Sequence, residues 1–429
     1  MFLDINEELT AAKVTQIIQK FCTGERIRMK RYQNYYDGRQ DIIYKTVNDA
    51  SKPCNRIITN YCASIVDNYS GYLTGIDITY RSNEDISNIQ EVLAYNDVRG
   101  VDAAILRDML IYGRAFEVCY LDEESKQRFK KLDALECIPV YDNTLNQELR
   151  AVIRFYPVDS LDALKGYYIE VYDDVSIKRY KSNETYASMK PIEEIPHYYK
   201  QVPITVYSLN EKETSIFDRI MSLQDAYNTL LSSGVDDFES FCDAYLVLKG
   251  ITAEAEDIAA MKENRALILD ADSDASFLTK NISDAQLQNL LDNIDAQIHK
   301  LSNSPDFNDS AFATTSGVAL RYKLIGFENT ASGIVANMTK GLQRRLELIS
   351  TVLNIVDEAA WRDVDIVFTR NLPTDDLTIA QTINQLRGIV STRTLLSLLP
   401  FVRDVDKELE ALNEDTSSYD FGEMSGNEQ

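Results

Sequence analysis

The chain has 429 residues, 45% of them hydrophobic and 10% aromatic, which is enough apolar material for about two to four domains or one elongated protomer and excludes a disordered chain. Its 44 basic against 68 acidic residues give a net charge of −24. That balance excludes a conventional high-affinity nucleic-acid binder, which needs a basic footprint, but it does not exclude a protein past which DNA slides, since an acidic wall repels phosphate.

The first 40 residues carry helical spacing. Val14, Ile17, Ile18 and Phe21 form one run, and a second, Arg26 to Tyr36, ends at the turn pair Asp37-Gly38. Ile65, Val66, Tyr69 and Tyr72 predict a third helix closed by Gly75, followed by a short strand over Ile76–Arg81. A helix over 98–112 has Val101, Ala104, Ile105, Met109 and Leu110 on its apolar side and stops at Gly113; Arg114–Asp122 then reads as a strand. From 132 to 207 the pattern is β. Leu135–Val140, Ala151–Tyr156, Tyr167–Tyr172, Ile177–Tyr180 and Ile204–Tyr207 are short, rich in Val, Ile and Tyr, and bounded by turn residues. The first half therefore reads as α+β with an antiparallel meander.

The period changes near Thr214. Ile216, Ile220, Leu223, Tyr227 and Leu230 recur at i, i+4, i+7, i+11 and i+14, and the helix continues through Phe238 and Phe241. Tyr245–Gly250 is a strand, Ala253–Glu263 a small helix, and 266–270 and 276–280 two more strands. A second long helix, Ser283 to Leu301, has the stripe Leu287, Leu290, Ile294, Ile298 and Leu301. A loop of small polar residues, Asn303 to Thr315, separates it from a helix over 316–356 with the seam Val335, Met338, Leu342, Leu346, Ile349, Leu353 and Val356. Gly326 and Gly333 predict a kink or a close contact in that helix. A strand over Val364–Thr369 and further helical stretches follow, one around Ile379–Val390, one begun by Ser391, one through Leu409 and Leu412. From Asp404 onward there are nine acids against one Lys, which predicts a solvated tail.

Signatures of chemistry are few. Gly-Lys, GxGxxG, GxSxG and HExxH do not occur. The six Cys (22, 54, 62, 119, 137 and 242) form no CxxC pair, and only His197 and His299 stand ready to help them hold metal; reduced core thiols of an intracellular protein are expected. Asp4, Glu7 and Glu8 interrupt any leading apolar stretch and no apolar run approaches the ~18 residues of a membrane span, so neither a signal peptide nor a membrane segment is expected. Asp236, Glu239 and Asp243 share one helix face with Asp237 nearby, a pattern that fits either a two-metal nuclease or a solvated or subunit-contacting face. Asp284, Asp292 and Asp295 read as a wet face. Arg26, Arg28, Lys30 and Arg31, and the pair Arg344 and Arg345, are basic groups that fit either DNA contact or salt bridges.

With these strings read, the chain resembles portal proteins of tailed bacteriophages, of the type found in long-tailed phages of Gram-positive hosts. The likeness lies in the order of YYDG (35–38), NRIITNYCASIVDNYSGYLTG (55–75), YGRAFEVCYLDE (112–123), SLQDAYNTLLSSGVDDFESFCDAYLVLKG (222–250) and SGVALRYKLIGFENTAS (316–332). The resemblance implies a non-enzymatic α+β portal fold: a wing from 1–213 and 318–373, a stem from the helices within 214–248 and 283–302, a clip at 249–282, a tunnel loop at 303–317, and a crown with an acidic tail at 374–429. It implies a twelve-fold ring of identical subunits at one capsid vertex, through which double-stranded DNA is packaged and later ejected. Partners implied are the terminase large subunit, a head–tail adaptor, and the major capsid and scaffolding proteins, with no membrane and no cofactor. Candidate DNA contacts are Asn308, Asp309, Ser310, Thr314 and Thr315. Candidate clip contacts are Glu254, Glu256, Lys262, Asp272 and Asp274, and the candidate acidic stem face comprises Asp236, Glu239, Asp243, Asp292 and Asp295. A metal-dependent nuclease and a channel-less minor capsid scaffold are the competing readings.

Overall fold

The computed structural model describes residues 1–49, 52–160, 163–183, 185–186, 188–242, 245–249, 274–278, 284–306, 317–355, 359–371, 376–399, 402, 405 and 408–413. These fall in two compact units, Met1–Arg370 and Asn371–Gln429.

The first unit opens with a two-residue strand β1 (Phe2–Leu3), then helices α1 (Ala11–Thr23), α2 (Glu25–Tyr36), α3 (Tyr61–Thr74), α4 (Ser87–Tyr95) and α5 (Val98–Tyr112), with strand β2 (Thr79–Arg81) between α3 and α4. On α1 the buried residues are Val14, Ile18 and Phe21, the spacing read from the sequence. Helix α5 ends at Gly113 with φ 81°. A Cβ there would also overlap the backbone of Glu213, so both the left-handed conformation and the close approach require glycine.

Two antiparallel sheets follow. Strand β3 (Arg114–Leu121) lies between β10 (Ile204–Ser208) and β4 (Gln127–Leu132). The larger sheet has the order β1-β5-β6-β7-β8-β9, with β5 Cys137–Asp142, β6 Leu149–Ser160, β7 Ala163–Tyr172, β8 Ser176–Ser182 and β9 Lys190–Pro196. This is the predicted meander, closed at one edge by β1, which pairs parallel with β5 where the sequence pattern predicts a helical N-terminus. Across the sheet Arg154, Glu170, Arg179 and Glu193 stand in register. Their contacts are 3.3, 3.0 and 2.7 Å, so the charges alternate and each acid meets a cation. The edge strand β9 carries Pro191 and Pro196, residues that blunt an edge against further pairing.

Helix α6 (Met221–Cys242) packs against α7 (Asp284–Ser302). Gly234 sits at their crossing, where a Cβ would lie 2.7 Å from Leu287 Cδ2. The helix starts later than the stripe suggests. Ile216 lies ahead of it, its N–H donated to the Leu110 carbonyl at 3.0 Å. Phe217 and Ile220 are fully buried around a short 3-10 turn, Asp218–Ile220. On α7 the buried apolar positions are Leu291 and Ile298, whereas Leu290 and Leu301 of the expected stripe are 51% and 46% exposed. Between the two helices, strands β11 (Tyr245–Lys249) and β12 (Asp274–Leu278) pair antiparallel; the helix expected at 253–263 and the strand at 266–270 lie outside the described residues.

Helix α8 (Gly317–Val352) is continuous over 36 residues, about 54 Å at 1.5 Å per residue. Its buried seam is Leu324, Phe327, Ala331, Ile334, Met338, Leu342, Leu346 and Ile349, so it opens before the expected Val335, which is itself only half-buried. Gly326 lies close to Asn303, just past the end of α7, rather than against another helix. A Cβ at Gly333 would meet nothing within 4 Å, and a third glycine, Gly341, lies directly under the Tyr207 ring. A short helix α9 (Ala359–Arg362) and strand β13 (Asp365–Val367), paired with β2, complete the unit. The second unit contains α10 (Asp376–Leu386) and α11 (Thr392–Ser397), the latter N-capped by Ser391 as its sequence predicts.

Candidate functional site

Among the described residues an ordered polar ladder joins α6 to the extended segment 55–61. Gln224, Asn228, Ser232 and Asp236 recur every four residues along α6, and they accept in turn from the backbone N–H of every second residue of that segment. Tyr61 N donates to Gln224 Oε1 at 3.0 Å and Thr59 N to Asn228 Oδ1 at 3.0 Å. Ile57 N donates to Ser232 Oγ at 2.9 Å and Asn55 N to Asp236 Oδ1 at 2.6 Å. Four helical residues rise about 6 Å and two extended residues about 6.6 Å, so the two repeats nearly match. Helix side chains here take the place of a neighbouring strand, satisfying donors that burial would otherwise orphan. Gln224, Asn228 and Ser232 are fully buried. The register is pinned at one end by Pro53, which has no N–H, and at the other by Tyr61 entering α3.

This ladder decides the fate of Asp236. Besides Asn55 N, Oδ1 accepts from Asn55 Nδ2 at 2.9 Å, and Oδ2 accepts from Lys45 Nζ at 2.6 Å. Partial burial pushes its carboxyl up, but Lys45 and both Asn55 donors outweigh that and hold it below the usual range. Glu239 shares Asn55 Nδ2, at 2.9 Å. Asp236 is therefore not a freely solvated acid: protein donors meet both of its oxygens. Among the described residues no group of three or more His, Cys, Asp and Glu is placed to hold an ion.

Beside the ladder, Tyr61 spans α6 and α7. Its ring meets Tyr227 edge-on at 5.3 Å and His299 at 6.0 Å, and its hydroxyl donates to Asp295 Oδ1 at 2.6 Å. Burial first, then that acceptor, raise the phenol pKa. His299 Nδ1 lies 2.8 Å from the Ser304 carbonyl. A carbonyl cannot donate, so Nδ1 carries the proton. Ser304 and Ser302 are buried. Asn68 Nδ2 reaches Ser304 Oγ at 3.2 Å, and Tyr69 Oη donates to the Ser302 carbonyl at 3.1 Å. Between them Asn303 adopts φ 54°, a left-handed stop for α7, and its Nδ2 donates to Thr330 Oγ1 on α8 at 3.1 Å.

The arginines singled out in the sequence have partners within the chain, whereas Lys30 beside them is exposed. Arg345 is fully buried, paired with Asp102 at 2.7 Å and Glu117 at 2.8 Å, and lies over the Phe129 ring at 4.7 Å. Two buried acids against one guanidinium leave Asp102, pushed up by burial and pulled down by Arg345, at a pKa of about 6. Arg344 bonds Gln201 and, at 2.8 Å, Glu347. Arg28 donates to the Glu213 carbonyl at 3.2 Å, Arg31 pairs with Asp41 at 3.1 Å, and Arg26 stacks on Phe155 at 5.0 Å. Arg345 is thus an internal strut, while Arg28 and Arg31 make their contacts at the surface.

Residues 18–420 match the family described as "Phage portal protein, SPP1 Gp6-like". The chain belongs to this family. Similar relatives include the portal protein of Clostridium phage phiCD119, 24% identical over 87% of this chain and 89% of that one, and the portal protein of Bacillus phage SPP1, 23% identical over 93% and 82%. Both hosts are Gram-positive, as the resemblance implied. A structure titled "Neck of native GTA particle computed with C12 symmetry" covers 79% of this chain and 89% of that chain at 10% identity and a TM-score of 0.47. Portal proteins are structural components of phage virions. No described helix of this portal chain is long and apolar enough to cross a membrane.

Of the residues singled out from the portal sequence, Asn308, Asp309, Ser310, Thr314 and Thr315 lie outside the described residues, as do Glu254, Glu256, Lys262, Asp272 and Asp243. Asp274 begins β12. The described members of the expected acidic stem face are divided between two helices, Asp236 and Glu239 on α6 and Asp292 and Asp295 on α7. Asp236 and Glu239 turn to Asn55 and Asp295 to Tyr61, while Asp292, on an exposed part of α7, accepts from Gln288 at 2.8 Å. Sequence reading missed the ladder, although its signal was present: Gln, Asn, Ser and Asp recur every four residues on the helix face beside the apolar stripe.

Proposed function

We propose that identical copies of this chain close into a twelve-fold ring around an axial channel at one capsid vertex, through which double-stranded DNA is packaged and later leaves. The observation that carries this reading is the family match across residues 18–420. Two packed helices, α6 and α7, with strands β11 and β12 between them in the chain, suit a stem bearing a clip. The charge of −24 suits a passage that must not grip phosphate. In this reading residues 1–213 and 318–373 form the wing, 214–248 and 283–302 the stem, 249–282 the clip, and 374–429 the crown and tail. The terminase large subunit and later the head–tail adaptor dock on the clip through Glu254, Glu256, Lys262, Asp272 and Asp274, and major capsid and scaffolding proteins surround the wing. The ring performs no chemistry; the motor supplies the energy. Loop 303–317 meets the duplex through Asn308, Asp309, Ser310, Thr314 and Thr315.

Mass measurement and particle images of the purified chain test the ring. A closed annulus with a hole wide enough for a duplex is expected. A strict monomer under virion-like conditions overturns the proposal, and a closed particle without an axial opening favours a channel-less scaffold. Replacing Asn308–Thr315 by two glycines tests the loop: packaging should fall while ring assembly persists, and normal packaging would refute the loop assignment.

A further inference from the structure

We infer that Tyr61, Asp295 and His299 are positioning residues that tie the root of the 303–317 loop to the spacing of α6 and α7. The inference rests on the proposed meeting of that loop with DNA, and it concerns what sets the loop's point of departure. Tyr61 is the first residue of α3. Its N–H is held by Gln224 on α6 and its hydroxyl by Asp295 on α7. Seven and eight residues later on the same helix, Asn68 and Tyr69 hold Ser304 and Ser302. That is about two turns, roughly 10–12 Å of rigid rod. Movement of α6 against α7 therefore reaches the root through α3 as through a lever.

A second route converges on the same point. Asp295 Oδ1, which accepts from Tyr61, stands 3.6 Å from His299 Nε2, and His299 Nδ1 donates to the buried Ser304 carbonyl at 2.8 Å. The Tyr61 hydroxyl thus orients the carboxylate that faces the imidazole holding the root. A bond to an ionised acceptor is stronger and more directional than a neutral one, so its loss loosens the root while the ring stays packed against Tyr227 and His299.

Tyr61→Phe tests this, because it keeps the ring and the N–H and removes only the hydroxyl. In assembled rings, hydrogen exchange of the segment 300–306 should quicken roughly ten-fold or more, with ring assembly intact. Packaging should fall in otherwise normal rings, yet fall no further in rings whose Asn308–Thr315 is already replaced by two glycines. Unchanged exchange at 300–306 overturns the inference. An equal packaging loss in the loop-replaced background also overturns it, since Tyr61 would then act elsewhere. Normal packaging in the loop replacement alone refutes the DNA-contact reading instead, and the exchange result still decides the relay. If Tyr61→Phe fails to assemble, Asp295→Asn carries the same test with the same outcomes.

Discussion

Replacing Asn228 by Ala should cost more than most surface or even core truncations of its size. Asn228 is fully buried. Its Oδ1 accepts from Thr59 N at 3.0 Å, Thr59 Oγ1 at 2.8 Å and Gln224 Nε2 at 3.1 Å, and its Nδ2 donates to Gln40 Oε1. Gln224 Nε2 keeps the Thr59 carbonyl and the Thr59 hydroxyl can turn, so truncation orphans two groups, Thr59 N–H and Gln40 Oε1. Each buried orphan costs about 1–3 kcal/mol, giving about 2–6 kcal/mol together; a water entering the vacated polar space brings this to about 2–4 kcal/mol. Gln40 cannot flip to escape, because its Nε2 already donates to the Tyr35 carbonyl at 3.3 Å and to Asn60 Oδ1 at 3.1 Å. Urea unfolding followed by circular dichroism measures the loss, at fixed protein concentration because self-association adds linked stability. Asn228→Asp should be worse than Asn228→Ala, since it keeps the acceptor for Thr59 but turns a second acceptor toward Gln40 and buries a charge. An Asn228→Ala chain within about 0.5 kcal/mol of wild type, or an Asp variant more stable than the Ala variant, would refute the claim that the ladder anchors α6.

Asp102 predicts a pH signature. Its folded pKa of about 6 lies above the unfolded value near 4, so between those limits the folded chain binds more protons and its stability falls as pH rises toward 6, then levels off. Asp102→Asn removes that component; the stability difference between wild type and variant should fall from pH 4 to 6, and a flat or rising difference counts against the buried carboxyl. Gly341→Ala would drive a methyl into the Tyr207 ring and should lose about 1–3 kcal/mol or more, whereas Gly333→Ala, with open space and a helical backbone, should gain about 0.5–1 kcal/mol in thermal or urea unfolding. Magnesium added to the purified chain should leave linear duplex intact, and Asp236→Ala should lower stability by about 1–3 kcal/mol rather than abolish an activity; magnesium-dependent cleavage lost in that variant would restore the nuclease reading.

What can be read from the sequence is whatever repeats within one element. The α1 spacing, the Gly113 stop, the meander strands and the Ser391 cap are local signals, and each appears where expected. Strand β9 and helix α4 are not legible in the string because their identity comes from neighbours. Lys190–Pro196 has no alternation and is a strand by pairing with β8, and α4 buries little beyond Ile89 and Leu93. Helix α6 begins late because Phe217 and Ile220 serve a packed turn rather than the rod. The arginines show the same limit. Nothing in the string around Arg344 and Arg345 says which of two adjacent cations is sealed against Asp102 and Glu117, because those partners lie more than 200 positions away in the chain. The family likeness is legible for the opposite reason, resting on many short strings in order.

The ladder also behaves as a vernier. Its two scales differ by about 0.6 Å per step, and four residues overshoot one helical turn by about 40°, so three steps accumulate nearly 2 Å and about 120° of winding. The arms differ in reach: the shortest, Ser232, stands inside the ladder and the longer Gln224 and Asp236 stand at its ends, so unequal side chains absorb the mismatch. Such a gauge has a natural length: it meshes over a few teeth and then runs out of reach, so it can set the position of one stretch of α6 against segment 55–61 but not that of the whole helix.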